Sequence, residues 1–322
     1  MFVNWIVFFL GLGVLILGAK WLVSGASSLA ENLGLSPIFI GLTVVAFGTS
    51  APELVVNITA SLKGSTEMAL GNIVGSNIAN ILLILGISAL VSPLAVKANT
   101  TWKEIPFSLL TVTLLGVMAS DVMTSNSISL IVSRLDGIIL LSFFAAFLVY
   151  TVSIIRESTI INPAEDKPQY RRPGLSIFLV LLGLTALFFG GKWIVDSAVV
   201  IARSLGVNEG LIGLTIVAVG TSLPEFATSI KASWDGKNDI AIGNIVGSNI
   251  FNVFFILGTT AVIKPIPVPN SFIFDIAVVI IASLALFAIM FTGKKNHVVG
   301  RVEGLLFVLG YAWYVCYSIY RQ

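Results

Sequence analysis

The chain is poor in the residues that build most soluble sites. Among its 322 residues there is one cysteine, Cys316, and one histidine, His297. A single thiol permits no internal disulfide and no cysteine-based metal centre, and Cys316 is read as packed or lipid-facing in the last apolar segment. The lone histidine stands near Lys294, Lys295 and Arg301 in a solvated basic loop. That leaves no nucleophile paired with a base and argues against an intramembrane hydrolase or any other enzyme. Charge is scarce as well. Only 11% of residues are Asp, Glu, Lys or Arg, where a soluble domain carries roughly a quarter. The net charge of +2 comes with no dense basic block, so nothing suggests a nucleic-acid partner. No cofactor and no obligate protein partner are expected.

What is present is hydrophobic: 57% of the chain. Several apolar runs reach about 18 residues or more, enough to cross a bilayer as a helix, so the lipid bilayer is the expected surroundings. Ten such segments are expected, near 3–30, 36–62, 69–92, 104–121, 136–155, 174–203, 208–233, 240–263, 271–292 and 302–320. The first run lacks a basic lead and a small-residue cleavage site, and is read as a spanning helix rather than a signal peptide. Lys20 and Lys192 lie late in their helices, where long side chains snorkel. A polar stretch at 156–173, with Pro163, Pro168, Pro173 and charges of both signs, divides the chain into units 1–155 and 174–322.

The two units repeat each other. Residues 41–86 run GLTVVAFGTSAPE, ALGNIVGSNIAN, ILLILG; residues 213–258 run GLTIVAVGTSLPE, AIGNIVGSNIFN, VFFILG. The offset is 172 without a gap, with 27 identical positions. GAKWLV at 18–23 matches GGKWIV at 190–195 at the same offset, and RLDG at 134–137 echoes RVEG at 301–304. Each unit therefore carries five helices. Five is odd, so the second unit enters the membrane inverted. The fold class expected is an all-α membrane protein of two inverted five-helix repeats, with a site at the midplane where they meet.

Glu53 and Glu225 lie deep in apolar segments at equivalent repeat positions. A carboxylate at bilayer depth is costly and marks an ion or substrate path unless it is merely protonated and hydrogen-bonded. Pro52 and Pro224 each remove a backbone donor one residue earlier, and Gly48 and Gly220 loosen the same turn. A helix broken there presents carbonyls beside the carboxylate and the hydroxyls of Thr49, Ser50, Thr221 and Ser222, which is tolerated at membrane depth only where protein, water or an ion satisfies them. In the following segment Asn72, Ser76 and Asn80 recur every four residues, as do Asn244, Ser248 and Asn252, placing each set on one helix face. Asn77 and Asn249 lie beside them. Ser76, Asn80, Ser248 and Asn252 read as ligands, whereas Asn72, Asn244 and the glycines at 71, 75, 243 and 247 read as interhelical glue. The donor set is all oxygen, which suits hard cations. Ca²⁺ takes six to eight oxygens in flexible geometry, and two bidentate carboxylates with the carbonyls of Thr49 and Thr221 nearly fill that shell.

The paired GTS-x-PE and GN-x-x-GSN-x-x-N motifs resemble the α-repeats of the Na⁺/Ca²⁺ exchanger family, within the cation/Ca²⁺ antiporters. The resemblance implies ten helices, alternating access, and Ca²⁺ and Na⁺ competing for overlapping sites. By motif position it implies Ca²⁺ held by Glu53 and Glu225 with the carbonyls of Thr49 and Thr221. Flanking Na⁺ sites would use Ala46, Ser50 and Ser76, and Ala218, Ser222 and Ser248. Many relatives carry an aspartate where this sequence has Asn252, so only two formal negative charges are expected at the centre. That departure weakens an inference of K⁺ dependence. Exchange of Ca²⁺ for Na⁺ is the leading expectation. A H⁺- or K⁺-coupled exchanger is the alternative, and a cation channel filtering through the two glutamates is a third class. With both termini outside, eleven Lys and Arg fall inside and five outside, as the positive-inside rule asks, so both termini are expected outside and 156–173 cytoplasmic; the plasma membrane is the expected location.

Overall fold

A computed structural model describes residues 2–119, 131–158, 172–205, 218–292 and 296–320. Its helices are α1 (Phe2–Leu33), α2 (Pro37–Thr49), α3 (Ala51–Leu62), α4 (Thr66–Val91), α5 (Ala98–Ala119), α6 (Arg134–Ser158), α7 (Pro173–Ser204), α8 (Ala218–Thr221), α9 (Leu223–Trp234), α10 (Asn238–Ile263), α11 (Ser271–Thr292) and α12 (Arg301–Tyr320). Among the described residues eight are long and apolar enough to span a membrane, and α2 with α3 makes a ninth, bent by 44°. Of the expected segment 208–233 only α8 and α9 are described. Of the polar stretch expected at 156–173, residues 159–171 lie outside the described residues, 156–158 continue α6, and Pro173 opens α7.

The inversion predicted from helix parity is visible in packing. A Cβ added at Gly11 would lie 3.0 Å from the Gly190 carbonyl, and one at Gly183 would lie 2.6 Å from the Leu22 amide. Further along, a Cβ at Gly18 would meet the Leu187 amide at 2.8 Å, and one at Gly25 the Val180 amide at 2.9 Å. As numbers rise on α1 they fall on α7, so these repeat-equivalent helices run antiparallel. Small residues permit this close approach, which is how helices associate without a hydrophobic driving force between them.

Cross-repeat exchange recurs at the ends. Strand β1 (Leu94–Ala95) pairs with β4 (Val298–Val299), and β2 (Ile131–Val132) pairs with β3 (Ile266–Pro267), both antiparallel. Offsets of 172 and 167 turn one pair into the other, register included. Gly86 and Gly304 approach across the halves as Gly258 and Gly137 do. Every one of these contacts joins one repeat to the other.

Candidate ion site

Each half breaks its second helix at the same place. α2 ends at Thr49, Ser50 turns at φ −83° and ψ 5°, and α3 begins with Pro52 in its first turn. In the second half Ser222 turns at φ −88° and ψ 8° before Pro224. Proline suits the first turn of a helix, where its missing N–H costs nothing. Glu53 and Glu225 thus stand in the first turns of α3 and α9, where the helix dipole favours negative charge. Gly48 and Gly220 have a second role beyond loosening the turn. A Cβ there would run into the side chains of Leu184 and Val195, both on α7.

α4 and α10 widen from α-helix to π-turns over Ala79–Leu85 and Phe251–Leu257. Such wide turns are rare and cluster at functional sites. Asn80 and Asn252 sit within them, so a strict four-residue helical face ends just before each.

The halves hold each other's site residues. Ser50 Oγ donates to Glu225 Oε1 (2.9 Å), and Ser222 Oγ lies 3.3 Å from Glu53 Oε1 and 3.2 Å from Ser76 Oγ. Ser248 Oγ is 3.4 Å from Glu225 Oε1. Thr49 Oγ1 donates to Asn244 Oδ1 (3.0 Å), and Thr221 Oγ1 to Asn72 Oδ1 (3.1 Å). Asn80 Nδ2 donates to Asn249 Oδ1 (2.9 Å), and Asn252 Nδ2 to Asn77 Oδ1 (3.0 Å). Both carboxylates are 1% exposed. Four oxygens are left buried without a partner: Oε2 of Glu53 and of Glu225, and Oδ1 of Asn80 and of Asn252. Buried polar atoms are normally satisfied, and a symmetric set of four bare oxygens has the donor chemistry that a hard cation takes. Among the described residues no three His, Cys, Asp or Glu side chains gather, which leaves no transition-metal constellation.

The other expected ligands fall as follows. Ala46 is fully buried, and its carbonyl accepts from the Ser50 amide at 3.0 Å. Ala218 opens α8 at the edge of the described residues. Sequence reasoning passed over Asn57, whose Nδ2 donates to the Glu53 carbonyl at 2.7 Å. Its signal was the i+4 spacing from Glu53. It also passed over Glu104, 3% exposed and bonded by the Tyr150 hydroxyl, because Glu104 sits at the edge of its apolar run. A cavity of about 300 Å³ opens beside the breaks, lined by Pro52, Pro224, Thr221, Gly191, Lys192 and Asp196.

The chain is similar to known membrane exchangers in sequence and in fold. The family described as sodium/calcium exchanger protein matches residues 3–153 and 175–320. The sodium/calcium exchanger MaX1 of Methanosarcina acetivorans is 32% identical, with 99% of each chain covered. The inner membrane protein YrbG of Escherichia coli is 37% identical over 94% of this chain and 92% of its own. Among solved structures, the sodium-calcium exchanger NCX_Mj superposes with a TM-score of 0.82 at 32% identity, covering 97% of this chain and 98% of its own.

Proposed function

The chain belongs to the sodium/calcium exchanger protein family, and from that premise we propose that it is a secondary active antiporter exchanging Ca²⁺ for Na⁺ by alternating access. The observation that carries this reading is the pair of buried carboxylates. One comes from each repeat, each is held by a serine of the opposite repeat, and each keeps one bare oxygen. Glu53 and Glu225 bind Ca²⁺ together with the carbonyls of Thr49 and Thr221 and the amide oxygens of Asn80 and Asn252. Na⁺ competes at flanking positions formed by Ala46, Ser50 and Ser76, and by Ala218, Ser222 and Ser248. At an effective dielectric near 20, a unit charge pair about 4 Å apart interacts by roughly 4 kcal/mol, and a divalent ion gains more. Two carboxylates balance one Ca²⁺. Na⁺ ions at overlapping, flanking positions make the two cargoes exclusive, which is the condition for exchange rather than leak.

The protein sits in the plasma membrane with both termini outside. Lys97, Lys103, Arg156, Lys167, Arg171, Arg172, Lys231, Lys237, Lys294, Lys295 and Arg301 then face the cytoplasm, and Lys63, Arg134, Arg203, Lys264 and Arg321 face out. The Lys97–Asp239 ion pair and the β1–β4 pairing gather loops of the first group at one end. The deciding experiment is ⁴⁵Ca²⁺ uptake into proteoliposomes under an imposed Na⁺, K⁺ or H⁺ gradient. Uptake driven by Na⁺ alone is expected. Uptake driven only by H⁺ or K⁺ replaces the coupling ion, and protease cleavage of 156–173 from outside reverses the orientation.

A further inference from the structure

Beyond the carboxylates, α3 and α9 continue as matched polar files. Glu53, Asn57 and Ser61 follow at four-residue steps on α3, and Glu225, Ser229 and Ser233 on α9. All six are 0–1% exposed. The files run to opposite ends of the molecule, because the repeats are inverted.

Their hydrogen bonding differs. On α9 the two hydroxyls of the file are bonded, although Thr228 Oγ1 and Ser88 Oγ nearby are buried and bare: Ser229 Oγ accepts from Asn244 Nδ2 at 2.9 Å, and Ser233 Oγ donates to the Ser88 carbonyl at 2.7 Å. On α3 the equivalent atoms have no partner. Asn57 Oδ1, Ser61 Oγ and Asn72 Nδ2 are all buried and unbonded. Amide orientation does not rescue them. Asn57 must point Nδ2 at the Glu53 carbonyl, and whichever way Asn72 is turned, one end of its amide faces Thr221 and the other is bare. Unsatisfied groups of this kind, donors and acceptors mixed, are what buried water satisfies with its two to four hydrogen bonds.

We propose that the outer part of α3 carries a row of ordered waters bound by Asn57, Asn72 and Ser61. The row ties the backbone of Glu53 to the aqueous face where α3 ends at the exposed Leu62–Ser65 turn, and the equivalent residues Ser229 and Ser233 on α9, already bonded to protein, hold no such row. The row itself rests on these three bare groups and not on the transported ion. Its use rests on the antiporter reading: when the cation leaves, water reaches the Glu53 side of the site from that face.

A water-resolving structure of the intact protein, read beside hydrogen–deuterium exchange in lipid nanodiscs, tests this. Density is expected within hydrogen-bond distance of Asn57 Oδ1 and Ser61 Oγ and not beside Ser229 or Ser233. Backbone exchange over residues 57–62 is expected to be about tenfold faster than over 229–234. Ser61→Val should collapse that ratio and leave 229–234 unchanged. If Ser61→Val does not fold, Asn57→Ser, which grafts the second repeat's residue, serves for the same measurement. Empty density at Asn57 and Ser61, or equal exchange in the two wild-type segments, overturns the row whether or not the protein carries Ca²⁺. A protein with the row but no Na⁺-driven ⁴⁵Ca²⁺ uptake refutes the antiporter reading instead.

Discussion

The two repeats agree where they meet and disagree one turn further out. At the centre, each glutamate takes a serine from the other half, each threonine bonds the other half's asparagine, and the amides of Asn80 and Asn252 cross symmetrically. Four residues on, Asn57 stands where the second half has Ser229, and the surrounding bonds no longer match. A carrier that opens to both sides needs a common site but faces two different solutions. Symmetry is held at the common element and released along the approaches.

The comparison breaks most sharply at the carboxylates. Glu53→Gln and Glu225→Gln keep shape and remove one of two charges. Each is expected to weaken Ca²⁺ by about a hundredfold, roughly 3 kcal/mol, and nearly to abolish ⁴⁵Ca²⁺ uptake while the protein still inserts. Severe loss at one position alone would mean that the central agreement is not functional, and robust uptake in the double variant would remove both residues from the ion site. The α1–α7 seam comes next. A Cβ at Gly183 would press on the Leu22 backbone at 2.6 Å, whereas one at Gly13 meets nothing within 4 Å. Gly183→Ala is therefore expected to cost about 1–3 kcal/mol, read as a lower melting temperature in detergent, with Gly13→Ala unchanged.

Asn252→Asp sharpens the comparison by making the centre unequal. A third carboxylate should shift the Na⁺ and pH dependence of transport by about tenfold or less in half-saturating concentration, with folding intact. Unchanged dependence on both would assign Asn252 to packing against Asn77. The smallest effect is expected at the rim. Lys97 pairs with Asp239 while 59% exposed, and exposed pairs contribute about 0.2–1 kcal/mol. Lys97→Ala should leave Ca²⁺ affinity unchanged and lower stability by no more than that.

Much of this was legible in the sequence because duplication writes the same signal twice. GTSAPE and GTSLPE located both helix breaks, and helix parity gave the inversion that the α1–α7 glycines display. Equivalence is not proximity, however. The repeats show that Asn80 matches Asn252, but not that Asn80 reaches Asn249 and Asn252 reaches Asn77. The π-turns were hidden for a related reason: a wide turn changes hydrogen-bond spacing without a residue signature of its own, so Asn80 read as the third member of a plain helical face. The two-residue strands are shorter than any period can register. Asn57 escaped notice because its partner is a backbone carbonyl, which no alignment of side chains reveals.

The strand exchange has a consequence for biogenesis. Among the described residues β1 finds its partner only in β4, and β2 only in β3, as Gly11 finds Gly190 and Gly86 finds Gly304. A nascent first half leaving the ribosome thus has bare strand edges and an unfilled glycine groove. Its missing contacts lie more than a hundred residues downstream. Such distant pairings are slow to form and leave an intermediate exposed meanwhile. The first five helices wait in the bilayer as an unfinished interior, and the native molecule closes as an interlock, completed only when the last helix arrives.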